Sequence, residues 1–129
     1  MWHGSFADAA RKASSLVGSS KKDLLAFPGD VVDDFGYALS VVQYGGMPPS
    51  AKAWRGEGAG VFELVEEHRG DAFRAIFTVR FEKAVYVLHC FQKKSPSGVR
   101  TAQQDVNLVH ERLRTAQADY EVRYGKKED

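Results

Sequence analysis

Residues 60–92, GVFELVEEHRGDAFRAIFTVRFEKAVYVLHCFQ, decide the fold, because apolar side chains recur there at every second position. In AFRAIFTVRF the two sides of the segment differ: one carries Phe73, Ala75, Phe77, Val79 and Phe81, and the other carries Arg74, Ile76, Thr78 and Arg80. GVFELVEEH and AVYVLHCFQ alternate in the same way, with His89 on the side of Val85, Val87 and Phe91. Because the turns HRGD and Glu82-Lys83 are short, the sequence predicts three consecutive strands in an antiparallel meander.

Helical spacing replaces strand spacing on both sides of the meander. SSLVG is compatible with a short strand, and Ser20 is placed to cap a short helix. After Pro28 an apolar stripe recurs at intervals of three and four and ends at Gly45-Gly46: Val31, Phe35, Ala38, Leu39 and Val42. A terminal helix is predicted from about Thr101 to Tyr120, on the stripe Val106, Val109, Leu113, Ala116 and Tyr120. The fold class is therefore α+β, with the helices mostly against one face of the sheet.

Length and composition predict one domain without a metal or cofactor. The 129 residues suffice for one core, with residues 1–13 as a flexible extension, 14–120 as the domain and 121–129 as a tail. The chain has no apolar run long enough to span a bilayer and no apolar secretory block, so a cytoplasmic protein is expected. The single cysteine, Cys90, excludes an internal disulfide and is expected to be buried and inert. His3 and His110 have no neighbours that suggest a metal site.

The positive charge is concentrated in the middle of the chain. The formal net charge is +1, but residues 50–100 hold nine Lys/Arg against six Asp/Glu. Lys93, Lys94 and Arg100 directly follow the most apolar strand, where Pro96 and Gly98 prevent the sheet from continuing. If the helices cover one sheet face, the other face can collect Arg74, Arg80 and these cations. The sequence thus predicts a positively charged hollow.

Four segments carry a resemblance to a known family. SSKKDLLAFP, FGYAL, GVFELVEEHRGDAFRAIFTVRF and AVYVLHCFQKKS resemble the phage-derived, HigB-like branch of the RelE/ParE toxin superfamily, over residues 15 to 120. The resemblance implies a RelE-like fold with N-terminal helices, a curved three- to four-stranded antiparallel sheet and a C-terminal helix. It also implies a toxin of a type II toxin–antitoxin module that acts as an mRNA interferase. The implied partners are the ribosome, mRNA and a small helix-turn-helix antitoxin.

The resemblance assigns roles to several cations. Metal-free RNA cleavage needs a group that accepts the 2'-hydroxyl proton, cations that stabilise the phosphorane and a donor for the leaving oxygen. Arg74 matches the strand arginine that RelE-like enzymes place against the phosphate, and Lys93 and Lys94 match the basic positions after the last strand. Glu63 is either the base or an ordinary solvated carboxylate. The expected RNA-binding residues are His68, Arg69, Arg80 and Arg100.

Two other function classes stay open. The RelE-like catalytic set includes a tyrosine near the start of the terminal helix, where this sequence has Arg100, Thr101 and Ala102, so the proton-transfer roles are unassigned. A ParE-like inhibitor of a protein such as DNA gyrase would need no catalysis. A decayed or domesticated interaction domain would need neither RNA cleavage nor inhibition of a protein target. As a solvated strand cation, Arg74 is expected to contribute roughly 0.5 kcal/mol or less to stability.

Overall fold

The computed structural model describes residues 11–93 and 102–125 and has an α+β fold, as predicted. The elements in chain order are β1 (Ala13–Leu16), α1 (Ser20–Leu25), α2 (Gly29–Gln43), β2 (Ala51–Ala53), β3 (Val61–His68), β4 (Asp71–Thr78), β5 (Ala84–Lys93) and α3 (Gln103–Tyr124). The strands form one sheet in the order β1-β5-β4-β3-β2. The predicted meander is its centre, and the sheet has five strands because β1 pairs parallel with β5 and β2 pairs antiparallel with β3. No helix of the described ranges is long and apolar enough to cross a membrane.

The hairpin between β3 and β4 closes with a two-residue turn. Arg69 and Gly70 both have positive φ, 53° and 88°, which is the backbone conformation that matches the twist of paired antiparallel strands. His68 pairs with Asp71 immediately below the turn. This tight turn fixes the register of the two strands along their whole length.

One face of the sheet, called the first face, is covered by α1 and α2. Its core contains Leu64, Phe73 and Phe77 from the sheet and Val31 and Phe35 from α2. The apolar stripe predicted for α2 is the buried side of that helix. Residues on the predicted Phe73 side of β4 therefore form the centre of this core.

The opposite face, called the second face, carries α3. Val109, Leu113 and Ala116 of the helix pack in one cluster with Ile76 and Tyr86 of the sheet. Two of the three helices lie on the first face, as expected. The second face was expected to remain open, but α3 covers part of it. Helix α3 also continues to Tyr124, four residues beyond the predicted end.

An irregularity in β5 changes which side chains share a face. Phe77 pairs with Val87, whereas the preceding Ile76 pairs with His89, so Leu88 is an additional residue in the ladder. A β-bulge of this kind reverses the alternation after it. His89 and Phe91 consequently lie on the second face, and the prediction that they share a side with Val85 and Val87 is wrong.

The end of β4 also differs from the sequence pattern. The strand ends at Thr78, and Phe81 packs on the second face against Tyr86 and Tyr120, with ring centroids 5.5 and 4.8 Å away. Phe81 therefore does not continue the Phe73 side. Since the connection to β5 has left the sheet, strand alternation no longer determines where its side chains lie.

Cys90 is buried in the first-face core, as expected for an inert thiol. Burial raises the pKa of this thiol to about 12, and the neighbouring Asp23 carboxylate acts in the same direction. Because the thiolate is the reactive species, we expect no reaction of the native protein with a disulfide reagent such as DTNB at pH 8. In denaturant one thiol per chain should react. Rapid labelling of the native protein would show that β5 opens locally and would contradict the described packing.

Candidate functional site

The strand register places the candidate residues in successive rows on the second face. One row contains Glu63, Ile76 and His89, and the next contains Val65, Arg74 and Phe91. A third row ends at Lys93, which pairs with Ala72 at the last position of β5. Directly paired and diagonal side chains on one sheet face lie within contact range of long side chains. Glu63, Arg74 and Lys93 therefore belong to one surface.

Arg74 forms an ion pair with Glu63. The Arg74 Nη1 atom donates a hydrogen bond to Glu63 Oε2, and the exposed side-chain fractions are 16% and 12%. Among the described residues, the buried Nε atom of Arg74 has no acceptor. The pair is therefore mostly removed from water, with one donor unused, and neither residue is the solvated side chain that strand alternation suggested.

Lys93 is half-buried at the end of β5. The sequence predicts that Lys94 and Arg100 lie near it. Lys94 and Arg100 lie outside the described residues. The hollow expected from Arg74, Lys93 and Lys94 is therefore described only for Arg74 and Lys93, which share the second face. Glu63 joins them there through its bond to Arg74.

His89 is the centre of a polar network that the sequence pattern did not indicate. Its Nε2 atom lies 2.7 Å from Asp105 Oδ1, and its side chain is only 7% exposed. On the other side of the ring, Arg112 Nη1 lies 3.4 Å from Nδ1 and donates to the Leu88 carbonyl at 3.1 Å. Since arginine can only donate, Nδ1 is the acceptor and Nε2–H donates to Asp105.

Arg112 extends this network to the amino-terminal part of the chain. Its Nη2 atom donates to Ser19 Oγ at 3.1 Å, and the Ser19 hydroxyl donates to Asp23 at 2.7 Å. The His89 ring stacks on Phe91, with centroids 4.7 Å apart, and Phe91 pairs with Arg74. The network therefore joins α1 and α3 to the row of the sheet that holds Arg74.

The remaining predicted RNA-binding residues lie apart from Arg74. Arg80 follows the end of β4, about 13 Å or more from Arg74, and its guanidinium donates to the carbonyl oxygens of Glu57 and Ala59. Arg80 therefore does not belong to the surface that holds Glu63, Arg74 and Lys93, because Arg74 lies within β4 and Arg80 lies beyond the end of that strand. His68 lies on the first face by its pairing with Asp71, and Arg69 is exposed at the tip of the hairpin.

The arrangement suits anion binding better than metal binding. Within 11–93 and 102–125, no group of three or more His, Cys, Asp and Glu residues is placed to hold a metal ion. A guanidinium paired with a carboxylate offers both a donor for an oxyanion and an acceptor for a proton. Asp105 and Arg112 were missed because their spacing on α3 gives no motif. Only their contact with His89 identifies them.

Comparison with known proteins gives one family and one structural likeness. Residues 22–114 match the family described as phage-derived protein Gp49-like, whereas no curated protein matches significantly. Among solved structures, the chain is similar to a chain of the toxin–antitoxin complex RelBE2 from Mycobacterium tuberculosis, with 17% identity and a TM-score of 0.47. That match covers 64% of this chain and 99% of the other. Because the family match spans well over half of the sequence and includes Glu63, Arg74 and Lys93, the chain belongs to the phage-derived Gp49-like family.

Proposed function

We propose that this protein is the toxin of a type II toxin–antitoxin module, of the HigB-like branch, and that it cleaves mRNA on the ribosome without a metal ion. The observation that carries the proposal is the ion pair of Arg74 and Glu63 on the same sheet face as Lys93. These three residues supply the groups that attack by a 2'-hydroxyl needs: a proton acceptor and cations for the phosphate.

The reaction exchanges one bond to phosphorus for another. The 2'-oxygen of the ribose forms a bond to the adjacent phosphorus while the bond to the 5'-oxygen breaks. The 2'-hydroxyl proton passes to the Glu63 carboxylate, and the departing 5'-oxygen takes a proton from solvent or from Lys93. The products are a 2',3'-cyclic phosphate and a free 5'-hydroxyl.

Arg74 stabilises the charge that develops on the phosphoryl oxygens. Its guanidinium carries several donors in a fixed plane, and only Nη1 is used by Glu63 among the described residues. A phosphate that arrives at Arg74 competes with Glu63 for the guanidinium. As that bond weakens, the Glu63 carboxylate is released to accept a proton, so substrate binding itself prepares the base.

The network around His89 gives that residue a positioning role. The side chain is too deeply buried to meet a substrate, but its ring supports Phe91, and Phe91 is the neighbour of Arg74 in the sheet. Lys94 and Arg100, with Arg69 at the tip of the hairpin, are the proposed contacts to the flanking RNA, and His68 is left out because it lies on the first face. Arg80 is left out of this set because it lies beyond the end of β4 and the loop carbonyls already accept from its Nε and Nη2 atoms.

Ribosome dependence follows from the low net charge. A chain of formal charge +1 attracts RNA far less than a protein that makes six to ten phosphate contacts, on the scale of known binders. The ribosome supplies the missing affinity by holding the message and orients the 2'-hydroxyl for attack. The proposed setting is the cytoplasm, where a small helix-turn-helix antitoxin neutralises the protein.

One observation also fits a protein without catalysis. Arg74 and Glu63 are mostly buried and form an ion pair, as residues with a purely structural role also do. A ParE-like inhibitor of a protein such as DNA gyrase, or a decayed interaction domain, could retain the pair for stability alone. Neither of these two functions cleaves mRNA, so the integrity of mRNA distinguishes them from the nuclease.

Cleavage in a translating extract tests the proposal. The wild-type protein should cut mRNA only when ribosomes are translating, with EDTA-resistant cleavage of pre-assembled complexes and 2',3'-cyclic phosphate ends. Arg74→Ala should lower the rate by about 100- to 1,000-fold, since it removes a donor to the transition state. Glu63→Gln should also be slow, while Arg55→Ala, which changes an exposed loop cation, should leave the rate unchanged.

Three results would each contradict one part of the proposal. Selective cleavage of naked RNA at the same rate would remove the role of the ribosome. Intact mRNA together with inhibited gyrase would identify the ParE-like function, and full activity of Arg74→Ala would separate this pair from the chemistry.

The ion pair has a measurable effect on stability. We expect Arg74→Ala to lower the free energy of unfolding by about 1–3 kcal/mol. The substitution removes the hydrogen-bond donor of the Glu63 carboxylate, which is nearly buried and has no other partner in the described part of the chain. This value replaces the smaller effect expected for a solvated cation. The double variant Arg74→Ala/Glu63→Gln should recover part of the loss, measured by urea denaturation with Arg55→Ala as control. Additive losses in the double variant would show that the two side chains do not interact in solution.

A further inference from the structure

A groove lies on the opposite side of the molecule from Arg74. It has a volume of about 440 Å³ and is bordered by α2, by the loop that follows α2 and by β3. The residues that matter here are Asp34, Tyr37, Val41, Met47, Pro49 and Glu66. Glu66 pairs with the first-face residue Phe73, so the sheet separates this groove from the second face.

The groove is acidic, and its carboxylates have no cationic ion-pair partner within the described part of the chain. Between Lys22 and Lys52 the sequence has no Lys, Arg or His but contains Asp23, Asp30, Asp33 and Asp34. None of the ion pairs among residues 11–93 and 102–125 involves Asp34 or Glu66. Burial raises the pKa of Glu66, and the nearby Asp34 carboxylate raises it further. A cation brought between the two carboxylates would relieve this repulsion.

The rim of the groove is apolar and unusually exposed. Tyr37 is 75% exposed and Met47 is 44% exposed. Tyr44, which directly follows α2, is a further exposed aromatic residue on the same side of this helix as Tyr37. Tyrosine and methionine are residues that protein interfaces favour, because the first combines a large apolar area with a hydroxyl and the second adapts its shape. Apolar walls around paired carboxylates match a helix that presents cations beside apolar side chains.

We propose that this groove is the docking site for a lysine- or arginine-bearing amphipathic helix of the cognate antitoxin. The inference rests on the proposed function for the identity of the partner. Charge complementarity selects the occupant: carboxylates repel RNA and anionic lipid surfaces alike. A second copy of the chain fits less well, because the exposed side of α3 mixes Glu111 with Arg114 and Arg123.

The location of the groove determines what a docked antitoxin leaves accessible. With the sheet in between, a helix in the groove touches neither Arg74 nor Glu63. Binding at this site therefore holds the antitoxin on the toxin without using the catalytic residues. Variants of Arg74 should bind the antitoxin as the wild type does, while variants of the groove should not.

Charge reversal in the groove tests the proposal with the protein encoded beside the toxin gene as the antitoxin. Asp34→Lys/Glu66→Lys should weaken binding at least 100-fold in calorimetry, while mRNA cleavage by the free toxin stays unchanged. The matched control Glu82→Lys/Glu111→Lys makes the same change in net charge at exposed positions elsewhere and should bind normally. Tyr37→Ala, which removes an exposed ring, provides a milder second variant and should weaken binding about tenfold.

The outcomes separate this inference from the proposed function. If the groove variants weaken antitoxin binding but the wild type cuts no mRNA, the docking site is supported and the nuclease is refuted. If the charge-reversed and Tyr37→Ala variants, shown to be folded by circular dichroism, bind within threefold of wild type, the docking site is refuted whatever the activity. Self-association of the wild type that the groove variants abolish would identify a second copy as the occupant and would also refute it.

Discussion

One additional residue in β5, Leu88, determines what the second face of the sheet carries. Side chains alternate along a strand, so a regular β5 would direct His89, Phe91 and Lys93 into or toward the first face. The bulge moves all three to the face that holds Arg74 and Glu63. It also brings His89 within hydrogen-bonding distance of Asp105 in the first turn of α3. The composition of the candidate site and the attachment of the terminal helix thus depend on the same irregularity.

The attachment of α3 is completed by an arginine that passes close to the main chain. Arg112 reaches the Leu88 carbonyl and Ser19, and to do so it runs beside Gly18. A Cβ atom at Gly18 would lie 3.0 Å from Arg112 Nε, and the φ of 58° at this position also favours glycine. Side-chain hydrogen-bond networks that satisfy their polar groups favour a single arrangement of the elements they join. Here they join parts of the chain that are far apart in sequence.

The sequence was sufficient for the features that depend on a regular period. The meander, the extent of α2 and the buried stripe of α3 follow directly from the spacing of apolar residues. The faces of His89 and Phe81 did not follow, because a bulge and an early strand end interrupt the alternation without changing composition. The pairing of Arg74 with Glu63 was also not predicted, although both were candidates, because strand alternation gives the face of a side chain but not its partner. The separation of Arg80 from Arg74 was not predicted either. The alternating pattern puts both residues on one side of the strand, but it does not show that they lie far apart along it.

The parallel pairing of β1 with β5 has a consequence for the order in which the protein can form. Ala13 is among the first described residues, yet its partner in the sheet is Ala84. Contacts between such distant positions require a long loop to close, and they form after local hairpins such as β3–β4. During synthesis, β1 must therefore wait without its neighbour until β5 has left the ribosome, and Ser19 must wait longer still for Arg112. A nascent chain of this protein consequently completes its sheet, and the surface built on it, only after β5 has left the ribosome.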